Sequence, residues 1–297
     1  MSVKLDTKKS IPIEHGLSPW AIGFKRIKKN KMALLALAIL SLLVLIAIFA
    51  PFITKYERDA VHPDSRYLPP SKDHLLGTDE LGRDVLTRLI YGARASLSVG
   101  LVATSIAMII GVVLGSISGY YGGWIDNVIM RLVDIIMCFP FFLMAIVIAS
   151  MIGQSIYTVM VVTGLLSWPS LARIVRAEIL SIKEREFVEA ARALGLKTKH
   201  IIVSHILPNA IAVIIVYVTL GIAGGILSEA GLSYLGLGVK PPQPSWGNML
   251  RSAESFRSLT KHPWLWVPPG ILIFITVLSI NIFGDGLRDA LDPKLKR

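Results

Sequence analysis

Six stretches of this 297-residue chain are apolar over about the 20 residues that a helix needs to cross a bilayer core: 32–50, 96–120, 128–152, 156–172, 206–227 and 264–283. Hydrocarbon offers no water to satisfy a free backbone N–H or C=O, so each stretch must be helical. The fold class that follows is all-α, a polytopic membrane protein with six transmembrane helices. Hydrophobic residues make up 53% of the chain and charged residues 17%, and the mean hydropathy is +0.62. That balance excludes an ordinary soluble domain. The first apolar run starts only at Met32 and is long enough to span, so it is expected to be a retained helix rather than a cleaved signal.

The net charge of +11 is explained by where the basic residues fall. Lys4, Lys8, Lys9, Lys25, Arg26, Lys28, Lys29 and Lys31 precede the first run. Arg173, Arg176, Lys183, Arg185, Arg192, Lys197 and Lys199 lie between the fourth and fifth, and Arg288, Lys294, Lys296 and Arg297 follow the sixth. Basic residues collect on the cytoplasmic side, so both termini are expected to be cytoplasmic, and no nucleic acid is needed to account for the charge. Trp20, Trp124, Trp246, Trp264 and Trp266 fall near the expected span ends, where an amphipathic ring favours the interface. Residues 84–97 have helical spacing and are expected to lie along the outer membrane surface. The coarse division is an N-terminal region, 1–94, with the first helix and a long outer loop, then a five-helix core, 95–297.

The chain has no Gly-x-x-x-x-Gly-Lys-Ser/Thr loop to cradle phosphates, no His-Glu-x-x-His and no Gly-x-Ser-x-Gly, and its six histidines are scattered over loops and span edges. It is therefore expected to be non-catalytic, with no cofactor or metal of its own. Its single cysteine, Cys138, sits in an apolar run and is assigned no function. Span centres nearly free of ionisable residues weigh against an ion-coupled secondary transporter. Arg131 and Asp134, three apart, are expected to pair with each other, Pro140 to kink the third span, and Gly221, Gly224 and Gly225 to admit close helix neighbours.

The positive signal is in the inner segment around 183–195. Phe187, Ala191 and Leu194, with Val188 beside them, form one apolar stripe at i, i+4, i+7. Glu184, Glu186 and Glu189 sit toward the start, Lys197 and Lys199 follow the end, and Gly195 can adopt the left-handed conformation that closes a helix. Spacing alone leaves two covers open for that stripe: the chain's own spans or lipid, or a docking partner.

Glu189-Ala190-Ala191, then Gly195, then Leu207-Pro208 resembles the cytoplasmic EAA loop of binding-protein-dependent ABC importers. The place two before Leu207, usually Ile in that loop, is His205, as in the peptide-transporter branch. Three further blocks, 74–84, 232–247 and 284–293, resemble the C-type permease of dipeptide, oligopeptide and nickel transporters. Together the resemblance covers most of the chain from about residue 18 to its end. The resemblance implies a type I ABC importer permease in a prokaryotic cell (inner) membrane that carries di- or oligopeptides, with nickel or a metal chelate as the alternative cargo. It implies as partners a homologous second permease, one or two kinds of ATPase subunit that bind ATP and Mg, and an external solute-binding protein. It also implies that the EAA segment is a coupling helix seated in the ATPase. Glu189, Ala190, Ala191 and Gly195 would form its docking surface, Phe187 and Leu194 would belong to its apolar stripe, and Pro208 would pass force to the fifth span.

Overall fold

The computed structural model describes residues 19–291, with side chains from Phe24 onward. Lys4, Lys8, Lys9, Lys294, Lys296, Arg297 and the Trp20 side chain lie outside that range. The described residues form helices and no strand: α1 Pro19–Lys29, α2 Lys31–Ile48, α3 Ala50–Ile53, α4 Val85–Tyr121, α5 Gly123–Cys138, α6 Phe141–Ile152 and α7 Ile156–Lys183. After these come α8 Glu186–Ala193, α9 Thr198–His200, a π-helical turn Ile201–Ile206, α10 Leu207–Tyr234, α11 Trp246–Leu250, α12 Phe256–Lys261 and α13 Val267–Leu291. Five helical segments are long and apolar enough to cross a membrane, and α5 with α6 makes a sixth as a pair bent by 87°.

The α4–α7 contact is the spine of the core, and small residues make it close. A Cβ on Gly115 would stand 2.6 Å from the Ala172 carbonyl oxygen, and one on Gly119 would stand 2.9 Å from that of Arg176. Hydrocarbon gives helices no hydrophobic reason to associate, so close backbone approach through small residues supplies the attraction. Gly164 meets Ala103, Gly115 meets Ala172 and Gly119 meets Arg176. Residue numbers rise together along both helices, which therefore run parallel. The chain leaving the Tyr121 end of α4 must then return the full height of the bundle before α7 begins, so α5 and α6 are one crossing, broken in the middle, and the spans number six. On its other flank α4 runs antiparallel to α10, where a Cβ on Gly225 would lie 3.0 Å from the Gly100 Cα.

Four sequence expectations change. The third span is broken at Pro140, not merely kinked, because proline lacks the N–H that would continue α5 and drives Phe139 into an extended conformation (φ −94°, ψ 136°). Residues 84–97 do not form a separate surface helix. They are the N-cap and N-terminal part of the 37-residue α4, whose Val85, Leu89, Ala93 and Ser96 are buried. What covers them is Trp246, which is fully buried instead of lying at the interface, and whose indole N–H donates to the Leu89 carbonyl at 3.1 Å. Finally, Asp134 accepts from Arg173 of α7 at 2.8 Å instead of pairing with Arg131. The helix pair α5–α7 brings that guanidinium across a gap of 39 residues in sequence.

Candidate functional site: a short two-faced helix and a cavity at the broken span

Helix α8 is eight residues long and is held at both ends by its own sequence. Glu186 and Glu189 lie in its first turn and Arg192 in its last, each charge opposing the nearer helix-dipole pole. At the far end Gly195 takes φ +75°. Its N–H donates to the Arg192 carbonyl at 2.9 Å, and the Leu196 N–H donates to that of Ala191 at 3.2 Å, the paired bonds of a Schellman cap. A Cβ at Gly195 would meet nothing within 4 Å, so the demand for glycine here is conformational and not steric.

The expected apolar stripe divides into two faces. Val188 (0% exposed) and Ala191 (4% exposed) are buried in a cluster with Val175, Ile179 and Ile182 of α7 and with Ile201 and Ile206. Phe187, Glu189, Ala190, Leu194 and Gly195 are exposed, Leu194 at 79%. Ala191, expected on the docking surface, thus faces the chain's own spans. The Arg192 guanidinium lies 5.3 Å from the Tyr120 ring and ties the same helix to α4. Beyond α8 the chain runs without a break from Thr198 to Tyr234 through the π turn, about 55 Å at 1.5 Å per residue. Pro208 is exposed just past that turn, in the first turn of α10. Its missing N–H and its ring disfavour regular α-helical bonding to the preceding turn, where the wider π turn stands.

Where α5 and α6 part, a cavity of about 650 Å³ opens among α4, α5, α6, α7 and α10. Phe139 and Pro140 of the break line it, as do Thr104, Thr163, Tyr217 and Gly224. No Asp, Glu, Lys or Arg is among the lining residues.

Sequence reading missed Glu229. This carboxyl is wholly buried in α10 and accepts from the Ser96 hydroxyl of α4 at 2.7 Å and from the Ser233 hydroxyl at 2.6 Å. Those serines in turn accept from the backbone N–H groups of Trp246 (3.1 Å) and Val239 (3.2 Å). A buried carboxyl survives only when so partnered. The only sequence signal was its Ser-Glu-Ala context at the end of an apolar run.

The other quoted blocks turn out to hold the fold. In 74–84, Asp84 caps α4 by accepting the Thr87 N–H at 2.8 Å and meets His74 Nδ1 at 3.0 Å. Asp79 accepts from Arg83 Nε at 2.7 Å, and Arg88 Nη1 donates to the Pro242 carbonyl at 3.2 Å. In 284–293, Gly284 packs on Leu220 and Gly286 on Ala33. At the opposite end of α13, both ring nitrogens of His262 are buried without a hydrogen-bond partner among the described residues, and its ring stacks on Tyr67 at 4.4 Å.

Residues 111–297 match the family described as binding-protein-dependent transport system inner membrane component. Residues 18–70 match the N-terminal TM domain of oligopeptide transport permease C. The chain is 46% identical over 280 residues to the dipeptide transport system permease protein DppC of Alkalihalophilus pseudofirmus, covering 94% of this chain and 91% of that one. It is 42% identical over 281 residues to the oligopeptide transport system permease protein OppC of Bacillus subtilis, with coverages of 95% and 92%. It is 39% identical over 280 residues to the glutathione transport system permease protein GsiD of Pectobacterium atrosepticum, with coverages of 94% and 92%. In fold it is similar to an inward-facing structure of the MetNI methionine ABC transporter, at TM-score 0.57 and 18% identity over 69% of this chain and 96% of that one.

Proposed function

The chain belongs to the family of binding-protein-dependent transport system inner membrane components, and on that premise we propose that it forms one half of the path by which an ATP-driven importer brings di- and oligopeptides into the cell. It is a multi-pass, non-catalytic membrane subunit with the type I importer fold. A second permease, an ATPase and a solute-binding protein are the partners that this family implies. Peptide, not nickel, is the cargo supported by the relatives, which are named for dipeptide, oligopeptide and glutathione transport.

The observation that carries the mechanism is the division of α8 into two faces. Val188 and Ala191 fasten the helix to α7, while Phe187, Glu189, Ala190, Leu194 and Gly195 face outward at the end of the bundle where the basic residues gather. A helix so fixed moves with the bundle. In this reading the ATPase, which holds ATP and Mg, grips the outward face, and α8 hands its displacement to α7 through the Val188–Ala191 contact. Through the π turn and Pro208 it hands the same displacement to α10. In this reading the six crossings put both termini on one side, and the distribution of lysine and arginine supports the cytoplasm as that side. We take the second permease to be a homologous, non-identical chain, the ATPases to be of one or two kinds, and the core to begin near residue 95.

The test is a Glu189→Lys exchange in the purified complex reconstituted with its binding protein. Basal ATP hydrolysis should persist while binding-protein-stimulated hydrolysis and peptide uptake fall together. Wild-type stimulation and uptake in this variant would refute the role given to α8.

A further inference from the structure

We propose that the cavity at the break between α5 and α6 is a peptide-binding station within this chain, one that holds the substrate by its backbone and ignores its side chains. The inference rests on the peptide-importer reading above and adds to it where in the chain the substrate is held and by what chemistry.

Irregular backbone at membrane depth is tolerated where it is buried in protein or lines a water-filled cavity. Here the break occurs inside a span, at Phe139 and Pro140, and both residues line the cavity. Helix α6 opens at Phe141 with Pro140 as its N-cap and with no side chain capping it. The N–H groups of its first turn therefore lack the side-chain acceptor that commonly serves them. On the other side of the break, the terminal carbonyls of α5 are left over in the same way, apart from that of Ile136, which the Phe139 N–H reaches at 3.4 Å. One edge of the cavity thus offers spare N–H donors and the other spare C=O acceptors, the two groups that a peptide backbone carries in equal number.

A second and independent sign lies across the cavity on α7. Thr163 lines it, is 2% exposed, and its hydroxyl oxygen has no hydrogen-bond partner. Buried hydroxyls are nearly always satisfied, so an orphan beside a cavity points to a polar guest. The volume of about 650 Å³ lies within the range of small-molecule sites and suits a short peptide. The lining carries further hydroxyls at Thr104, Ser167 and Tyr217 but no charge. A charged wall would sort peptides by side chain, whereas a wall of hydroxyls, backbone and apolar surface passes them alike.

Gly224 supplies the test. It lines the cavity, and a Cβ added there meets nothing within 4 Å, so a side chain at this position enters the cavity without displacing a neighbour. Uptake of trilysine and triglutamate is measured in the reconstituted complex and expressed for each peptide as the ratio of variant to wild type, which cancels the binding protein's own preference. Gly224→Asp should raise the trilysine ratio over the triglutamate ratio by at least tenfold. Gly224→Trp should cut uptake of both, and of trialanine, by tenfold or more in complexes that assemble at the wild-type size. Thr163→Val should lower uptake of all three peptides by a similar factor. Equal trilysine and triglutamate ratios in Gly224→Asp, or unimpaired uptake in Gly224→Trp, would overturn the proposal. Absence of peptide uptake by the wild-type complex would instead overturn the importer reading itself.

Discussion

The Ser96 hydroxyl of α4 donates a 2.7 Å hydrogen bond to the buried carboxyl of Glu229 on α10, 133 residues later in the chain. Ser96 also accepts from the Trp246 backbone N–H, and Ser233 joins the same carboxyl to the Val239 N–H, so one side chain anchors the outer loop to two spans. Glu229→Ala would leave two buried hydroxyls without their acceptor, at about 1–3 kcal/mol each. Hydrogen exchange of residues 235–250 should quicken and the thermal midpoint of the solubilised complex should fall. An unchanged exchange pattern would mean that the carboxyl holds nothing.

Gly115 is the tightest point of the parallel α4–α7 contact, where an added Cβ would stand 2.6 Å from a backbone oxygen that cannot rotate away. Gly115→Val should cost about 3 kcal/mol and lower the amount of folded protein recovered. Gly224→Ala, with open space around it, should be silent in the same assay.

Two ion pairs join α5 to α7, and exposure ranks them. Arg176 meets Asp126 at 2.5 Å with side-chain exposures of 30% and 14%, and Ser118 also donates to that carboxyl. Arg173 meets Asp134 with both side chains about half exposed, at 51% and 54%. Asp134→Ala should therefore change stability by about 1 kcal/mol or less, and Asp126→Ala by severalfold more. Double-mutant cycles with Arg173→Ala and Arg176→Ala read the two couplings separately.

His262 carries a pH dependence. Burial, and then the nearby Arg257 and Lys261 charges, push its pKa below the ordinary value of 6.5. Above pH 6.5 the ring is neutral in both folded and unfolded chain, and its contribution is fully present. As pH falls below 6.5 the unfolded ring takes up a proton that the folded ring resists, so the stack on Tyr67 loses stability through that window. Trp264, whose ring lies 5.1 Å from His262, is the reporter. Its fluorescence in a variant lacking the other tryptophans should change between pH 7 and 5, and His262→Phe should abolish the change.

The sequence already showed the six crossings, the short charged helix α8 and its Gly195 cap, because each rests on local composition: apolar length, charge order, and one residue able to hold a positive φ. It also pointed to Pro140, but as a kink within one helix and not as the break between two. It did not show the 87° bend, since the angle depends on what the neighbours leave open around the extended Phe139. Nor did it show which half of the α8 stripe turns inward. Phe187 and Val188 are adjacent and both apolar, and only the position of α7 decides that Val188 is the covered one. Glu229 and the Arg173–Asp134 pair stayed hidden for the same reason, their partners being separated from them by more than a hundred and by 39 residues respectively.

Site-directed thiol crosslinking reads whether α8 turns one face to its own bundle and the other to a separate ATPase. After the exposed Cys138 is replaced by Ser, single cysteines are placed at positions 188, 190, 191 and 194 and crosslinked in the assembled complex. ATPase adducts should form from 190 and 194 and not from 188 and 191. Adducts from 188 and 191 alone, or labelling of position 190 by a membrane-impermeant reagent added outside the cell, would contradict it.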